Sequence, residues 1–184
     1  MKNCQWRLLK KIKRKVGLRY NDKLTHLILK KAEGSTYILL IYLIRSQHLL
    51  IGKLGWVSFK KGYYLYIGSA KKCLKKRLIR HLSRQKNRFW HIDYLLSAPS
   101  SAKVTNIWVS RKSCECSIAQ ELYQSDICTL VKIGFGSSDC QCFSHFFRVE
   151  APNLDMLNQI LTKKNFLAIS DARGHSGNDY GNTS

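Results

Sequence analysis

The residue types best suited to chemistry lie where an aromatic strand ends and a basic helix begins. The strand reads Gly62-Tyr63-Tyr64-Leu65-Tyr66-Ile67-Gly68. Behind it come six cations that we predict to contact nucleic acid: Lys71, Lys72, Lys75, Lys76, Arg80 and Arg84. Positive side chains attract phosphate groups, and tyrosine hydroxyls can donate hydrogen bonds to them. The junction is therefore a place to hold a phosphate.

A second tyrosine is expected beside this junction. Tyr37 lies near the start of the first predicted strand, and Tyr64 and Tyr66 share one face of the next. If the two strands pair, Tyr37 and Tyr66 converge at one edge. The alternative is that these tyrosines are core residues, because aromatic side chains are common in strands and bury a large area.

The basic helix has two distinct faces. At about 100° per residue, one arc is apolar and the opposite arc is cationic. The apolar arc holds Leu74, Leu78, Ile79 and Leu82. Arg77 and His81 fall at the edge of the apolar arc, so we expect them to point into a cleft rather than into bulk water.

Carboxylates are scarce, and Glu115 is the most informative of them. In the helix predicted over residues 113–127, Glu115 falls on the face of Ala119 and Leu122, whereas Glu121 falls on the far side. A carboxylate that faces inward must be paired, protonated or metal-bound. Magnesium needs few carboxylates when phosphate supplies further oxygens. Glu115 is thus the candidate metal ligand. The alternative is that Glu115 is paired with Arg77 or lies in the first helical turn, where the helix dipole favours a negative charge.

The cysteines raise a separate metal question. Cys114-x-Cys116 and Cys140-x-Cys142-x-x-His145 do not have the Cys-x-x-Cys spacing of a zinc knuckle. We therefore interpret them as small thiols of the core in preference to a structural zinc site, and the role of the Cys140, Cys142 and His145 cluster stays open. His91 and Asp93 are interpreted as packing and hydrogen-bonding residues.

Charge and composition favour an anionic partner. The 184 residues include 32 basic and 11 acidic side chains, a net charge of +21. Nucleic acid is the usual partner of such a chain, followed by anionic membrane surfaces. The longest apolar run, residues 37–44, is far shorter than the roughly 20 residues of a membrane helix. With no apolar segment after the basic start and seven cysteines, an odd number, we expect a cytoplasmic protein with reduced thiols and no stable membrane insertion.

We divide the chain into four regions. Residues 1–32 form a basic extension, either an amphipathic helix around residues 6–16 or a disordered tail. Residues 33–150 form the main domain, residues 151–170 a possible C-terminal helix, and residues 171–184 a disordered tail. Glycines at 52 and 55 predict a hairpin between the first two long strands.

Together these motifs resemble the GIY-YIG nuclease superfamily. Ser35-Thr36-Tyr37 corresponds to the first tripeptide, Tyr66-Ile67-Gly68 to the second, Arg77 to the helix arginine and Glu115 to the metal-binding glutamate. Further segments resemble a little-studied branch of GIY-YIG-like proteins, sometimes fused to endonuclease III. These are residues 52–55, 62–70, 90–96 and 134–145, and the resemblance covers about residues 33–149. The first tripeptide departs from the family pattern, because serine and threonine precede its tyrosine.

The resemblance implies both a fold and an activity. The fold is α/β, with a small, mostly antiparallel three-stranded sheet flanked by helices and, here, an added β-hairpin. The activity is hydrolysis of nucleic-acid phosphodiester bonds, of DNA in preference to RNA, with Mg²⁺ or another divalent cation on Glu115. Tyr37 or Tyr66 would assist deprotonation of water, and Arg77 would offset charge on the phosphate. A non-catalytic nucleic-acid-binding module and a membrane-surface protein are the alternatives.

Overall fold

The computed structural model describes residues 22–70, 72–97, 99–150 and 154–169. The described helices are α1 (Asp22–Lys31), α2 (Leu74–Leu82), α3 (His91–Leu96), α4 (Glu115–Tyr123) and α5 (Leu154–Lys163). The strands are β1 (Thr36–Leu43), β2 (Gln47–Leu50), β3 (Trp56–Phe59), β4 (Gly62–Ser69), β5 (Ala102–Ser110), β6 (Cys128–Leu130), β7 (Phe146–Val149) and β8 (Leu167–Ala168). The predicted helix around residues 6–16, Lys71 and the predicted tail at 171–184 lie outside the described residues.

Six strands form the main sheet, in the order β6-β7-β4-β1-β5-β8 with every neighbouring pair antiparallel. The predicted α/β class and mostly antiparallel sheet are confirmed. The sheet is wider than the expected three strands, because β6, β7 and β8 extend the central β4-β1-β5 unit. Strands β6 and β8 span only three and two residues, and their apolar alternation is too short to predict from sequence.

The central strand β1 separates two cores. Successive side chains of a strand point to opposite faces, so Tyr37, Leu39 and Ile41 pack in one core while Ile38 and Leu40 pack in the other. The first core includes side chains of α1, α2 and α3, and the second includes side chains of α4 and α5. The sheet is therefore the middle layer of a three-layer α/β sandwich.

The hairpin between β1 and β4 is confirmed. Strands β2 and β3 form a separate two-stranded sheet. A short 3-10 turn, Gly52–Leu54, joins them, and Gly52 and Gly55 have φ angles of 45° and 73°. Glycine adopts positive φ angles at little cost because it has no Cβ atom. Val57 and Phe59 anchor the hairpin in the first core.

Helix α1 precedes the predicted domain boundary at residue 33 but packs against the core of that domain. Ile28, Leu29 and Ala32 are buried in the first core, with at most 5% of their surface exposed. Lys75 of α2 also donates a hydrogen bond from Nζ to the carbonyl oxygen of Leu29, at 2.8 Å. Residues 22–32, the described part of the basic segment, therefore pack with the folded domain.

The two helices predicted over about residues 71–85 and 113–127 are both shorter than expected. Helix α2 begins at Leu74, because Cys73 has a left-handed backbone with φ of 60° and cannot belong to a right-handed helix. Helix α4 begins at Glu115 and ends at Tyr123, inside the predicted range 113–127. The C-terminal helix is confirmed as α5. Among the described residues, no helix combines the length and apolar character needed to cross a bilayer.

Candidate active site

The site lies at the end of the sheet where three central strands meet. The first residue of β1, Thr36, pairs with Ser69 at the end of β4 and with Ser110 at the end of β5. Glu115 follows β5 after a short connection, and α2 follows β4. The antiparallel register therefore brings the ends of both strands, and the helices behind them, to the start of β1.

Tyr37 and Tyr66 converge at this end, as predicted. Their ring centroids are 6.3 Å apart. Tyr37 is paired with Gly68, and a Cβ atom built on Gly68 would lie 2.4 Å from both Cζ and Oη of Tyr37. No real side chain fits at that distance. Gly68 is thus required because the Tyr37 ring lies directly across it.

His81 joins the tyrosine pair. Its Nε2 atom lies 2.7 Å from the Tyr37 hydroxyl oxygen, and its side chain is almost fully buried. Burial lowers the pKa of His81 well below its ordinary value, and the positive charges of Lys86, Arg77 and Arg80 lower it further. His81 is therefore neutral at physiological pH. The sequence places His81 at the edge of the apolar arc, but nothing in it indicates a contact with Tyr37.

Both tyrosines are held in the protonated form. Burial raises the pKa of Tyr37 well above its ordinary value, and the neighbouring Tyr66 raises it further, while Arg77 lowers it. Burial and the negative charge of Glu115 raise the pKa of Tyr66. With Tyr37 1% and Tyr66 6% exposed, the hydroxyl groups lie beneath the surface.

Arg77 is fixed by two neighbours. Its Nη1 atom donates a hydrogen bond to the carbonyl oxygen of Ser69, at 2.6 Å. Its guanidinium carbon lies 4.5 Å from the centroid of the Trp90 ring, and that of Arg80 lies 4.8 Å from the same centroid. The positive charge of Arg77 lowers the pKa values of Tyr37, Tyr66 and Glu115. Arg77 is half-buried among these neighbours, and Trp90 was not predicted as its support.

Glu115 is the carboxylate of the cluster. It is the first residue of α4, and its side chain is 23% exposed, so it is not buried at the centre of the inner helix face as predicted. Burial alone would raise the pKa of Glu115, but interactions with His145 and Ser69 and the charge of Arg77 hold it below its ordinary value. Glu115 is therefore ionised at neutral pH and accessible from solvent.

His145 is the main partner of Glu115 and was not predicted in that role. The Nδ1 atom of His145 lies 3.2 Å from Oε1 of Glu115. The contact is close but does not have the alignment of a well-formed hydrogen bond, and Nδ1 has no other hydrogen-bond partner among the described residues. Glu115 also lies in the first turn of α4. This position agrees with the alternative given in the sequence analysis, in which the helix dipole favours the carboxylate.

Two different donor sets could hold metal ions. Glu115 offers one ionised carboxylate beside hydroxyl groups, which fits Mg²⁺, since this ion takes oxygen ligands and keeps several waters. The second set is sulfur-rich. One ligand atom each from Cys116, Cys140, Cys142 and His145 lies within 4.8 Å of the other three. The prediction that these cysteines are core thiols is wrong, because Cys116 is exposed and Cys140 and Cys142 are partly exposed.

Five of the six predicted nucleic-acid contacts are described by the structure, and these five divide into two groups. Lys72 and Lys76 are exposed, and Lys71 lies outside the described residues. The remaining three side chains bind groups of the protein itself. Lys75 binds the Leu29 carbonyl, Arg80 binds Asp93 at 2.6 Å and the Asn87 carbonyl at 2.8 Å, and Arg84 binds the carbonyl groups of Ser100 and Ala102. The side chains of this second group therefore connect the segment of α2 to neighbouring parts of the protein.

Asp93 and His91 are structural, as predicted. Oδ2 of the fully buried Asp93 accepts hydrogen bonds from Arg80 and from the backbone amides of Phe89 and Trp90. Nδ1 of His91 accepts a hydrogen bond from the Gly136 amide, at 3.1 Å. Asp93 therefore fixes the start of α3 and the Trp90 backbone, and through Trp90 it supports Arg77.

Comparison with known families yields one match. The family described as a domain of unknown function, DUF123, matches residues 36–166. The chain belongs to this family. The matched region of the DUF123 domain starts at β1 and ends after α5, so it contains Tyr37, Tyr66, Arg77 and Glu115. Neither the curated proteins nor the solved structures include a match to this chain.

Proposed function

We propose that this chain is a metal-dependent endonuclease that hydrolyses phosphodiester bonds in nucleic acid, with DNA preferred to RNA. The observation that carries the proposal is the convergence of Tyr37, Tyr66, Arg77 and Glu115 at one end of the sheet. These are the four positions that resemble the functional residues of GIY-YIG nucleases. The net charge of +21 supports a polyanionic substrate.

Tyr37 and His81 suit the removal of a proton from water. Because burial raises the pKa of Tyr37, its hydroxyl group is protonated at neutral pH, and Tyr37 can accept a proton only if its own proton leaves. Nε2 of neutral His81 lies 2.7 Å from the Tyr37 oxygen and is the nearest group that could accept that proton, against the burial and the neighbouring positive charges that lower its pKa. The attacking water would thus transfer a proton to Tyr37 as Tyr37 transfers its own to His81.

Arg77 suits the stabilisation of negative charge. Its positively charged guanidinium group is held in place by the Ser69 carbonyl and the Trp90 ring. A fixed positive charge stabilises a phosphate whose negative charge grows in the transition state, because no reorganisation is needed during the reaction. Tyr66 would add a hydroxyl donor on the same side.

Glu115 would hold the divalent cation. When bound there, Mg²⁺ polarises the phosphate and stabilises the leaving oxygen. The lowered pKa of Glu115 keeps the carboxylate ionised for this purpose. With a single carboxylate as the protein ligand, most of the coordination sphere is left to water and to phosphate oxygens.

A non-catalytic nucleic-acid-binding module is the second candidate. The observation in its favour is the burial of the tyrosines, since Tyr37 is 1% exposed and needs a local opening to meet a water molecule. In that case the exposed Lys72 and Lys76 would contact phosphates, and Glu115 and Arg77 would only stabilise the fold.

The two candidates are distinguished by incubating the purified full chain with labelled nucleic acids. The set comprises branched, flap, nicked and single-stranded DNA and single-stranded RNA, each with Mg²⁺ and with a chelator. The proposal predicts that at least one DNA substrate is cleaved in the presence of Mg²⁺ and is not cleaved in the presence of the chelator. Binding of these substrates without cleavage under any condition would favour the non-catalytic module.

A further inference from the structure

A sulfur-rich cluster lies directly beside the candidate active site. Cys116 belongs to the first turn of α4, Cys140 and Cys142 to the loop before β7, and His145 immediately precedes β7. One ligand atom from each of these four residues lies within 4.8 Å of the others. We propose that the four residues bind one Zn²⁺ ion in a tetrahedral, structural site.

The distances fit a tetrahedral ion. With Zn–S bonds of about 2.3 Å and a Zn–N bond of about 2.0–2.1 Å, neighbouring ligand atoms of a tetrahedron are separated by roughly 3.5–3.8 Å. The Sγ atom of Cys140 lies 3.5 Å from Nε2 of His145, which already equals such a separation. The upper limit of 4.8 Å within the cluster requires only small side-chain rotations to close around the ion.

The donor types select the metal. Three sulfurs and one imidazole nitrogen are soft or borderline ligands, which favour zinc and disfavour magnesium. The set is complete at four, as in structural zinc sites, which leave no position open for substrate. The ion proposed here is therefore different in kind and in role from the cation proposed on Glu115.

The orientation of His145 gives a second, independent observation. The ring is buried, with Nε2 beside the Cys140 sulfur and Nδ1 3.2 Å from Glu115. A zinc-bound histidine usually directs its other N–H to a carboxylate, which fixes the tautomer and the ring. Zinc on Nε2 would place the proton on Nδ1, where Glu115 can accept it. Nδ1 is otherwise a buried polar atom without a hydrogen-bond partner among the described residues.

The position of the cluster indicates what the zinc does. Residues 131–145 join β6 to β7 without a helix or strand, and a connection of this length inside a compact domain is uncommon. A zinc ion would tie this loop to the first turn of α4, where Glu115 is located. We infer that the site fixes the loop and positions Glu115. Zinc binding itself does not rest on the proposed nuclease function; only the consequence of that positioning for cleavage does.

The first test measures metal content without nucleic acid. Full-length protein, incubated with Zn²⁺ and then desalted, is subjected to elemental analysis for zinc, iron and copper, and the metal-free protein is titrated with Co²⁺. We expect one zinc per chain, and with Co²⁺ the thiolate charge-transfer and ligand-field bands of a tetrahedral site. Substoichiometric zinc, a preference for iron or copper, an octahedral cobalt spectrum, or a protein mass showing a disulfide among these cysteines would overturn the proposal.

Cys140→Ser and Cys114→Ser form a matched pair. Cys114 is two residues from Cys116, but its sulfur is not part of the cluster. We expect Cys140→Ser to lose stoichiometric zinc and Cys114→Ser to keep it; equal binding by the two variants would contradict the assignment. Should Cys140→Ser fail to fold, thiol alkylation of the wild type decides the question. The zinc-loaded protein should have three fewer reactive cysteines than the same protein after the metal is removed by a chelator.

Glu115→Gln and Glu121→Gln test the link to the candidate active site. Loss of a carboxylate that supports a zinc-bound histidine lowers metal affinity by about 10–100-fold. We expect this loss for Glu115→Gln and none for Glu121→Gln, measured by competition with a zinc-binding dye. Equal affinities for both variants would show that Glu115 does not support His145.

Discussion

Gly68 is explained by a residue on another strand. The Tyr37 ring occupies the space in which any Cβ on Gly68 would lie. The glycine of Tyr66-Ile67-Gly68 therefore serves the position of Tyr37, and the two tripeptides that resemble the GIY-YIG motifs depend on each other physically. This dependence is visible only in the paired strands, because the two residues are distant in the chain.

The dependence can be measured by a double-mutant cycle. Gly68→Ala should lower the unfolding free energy by about 1–3 kcal/mol, because the new methyl group displaces the Tyr37 ring. In a Tyr37→Leu background, which removes the clashing ring, the same change should cost much less. The measurement is urea denaturation of the four proteins. Equal costs in both backgrounds would contradict the account.

His81 predicts a dependence of stability on pH. Because its pKa is lowered in the folded state, the unfolded chain binds more protons below the ordinary histidine pKa of about 6.5. Stability should then fall as the pH falls below that value, by up to about 1.4 kcal/mol per pH unit for one proton. His81→Gln should lack this component, although His91, whose pKa burial also lowers, still contributes in both proteins. Parallel stability curves from pH 7 to pH 5 would contradict a neutral, buried His81.

At the scale of the elements, long regular patterns are predictable and contacts between distant segments are not. The apolar run of β1 and the arcs of α2 have enough residues to establish their period. Helix α1 was missed because its cations made the segment resemble an extension, while Ile28 and Leu29 become core residues only through contact with distant parts of the chain. Tyr37 and Tyr66 were predictable from pairing of their strands. No local pattern predicts the contacts made by His145 and Trp90, or the internal partners of Arg80 and Arg84. These contacts arise from packing between distant segments.

Helix α1 yields a prediction about a segment that the sequence analysis assigned to a basic extension. Ile28 is fully buried and His26 is exposed on the same helix. Ile28→Ala should lower the unfolding free energy by about 2–5 kcal/mol, whereas His26→Ala should change it by less than about 0.5 kcal/mol. Thermal or chemical denaturation provides the measurement. A negligible effect of Ile28→Ala would indicate that α1 contributes little to the stability of the domain that follows it.

At the scale of the whole molecule, only some of the positive side chains near the site are free to contact an anionic partner. The net charge of +21 favours a polyanion, but several cations near the site are occupied by carbonyl groups and by Asp93. Lys72 and Lys76 remain exposed beside the start of α2. Binding of nucleic acid at the site should therefore depend on these lysines more than on Arg80 or Arg84.

Charge reversal tests this view. The double variant Lys72→Glu/Lys76→Glu should weaken binding to duplex DNA and reduce the salt dependence, by about 0.9 in the slope of log K for each phosphate that the protein no longer neutralises. Lys60→Glu/Lys61→Glu makes the same change in net charge at the opposite end of β4 and serves as the control. Binding isotherms at several salt concentrations give both slopes. Identical slopes for the two double variants would indicate that the phosphates are bound elsewhere on the protein.

The central claim is that Glu115 is the metal ligand of a nuclease site, and one comparison tests it directly. Cleavage of the best DNA substrate is measured for wild type, Glu115→Gln and Glu121→Gln in Mg²⁺, with each protein first saturated with Zn²⁺ so that the weaker zinc affinity expected of Glu115→Gln does not affect the comparison. Glu121 forms only an exposed ion pair with Lys164, so its change should have little effect. We predict cleavage by wild type and Glu121→Gln, and DNA binding without cleavage by Glu115→Gln. Wild-type cleavage by Glu115→Gln would contradict the account.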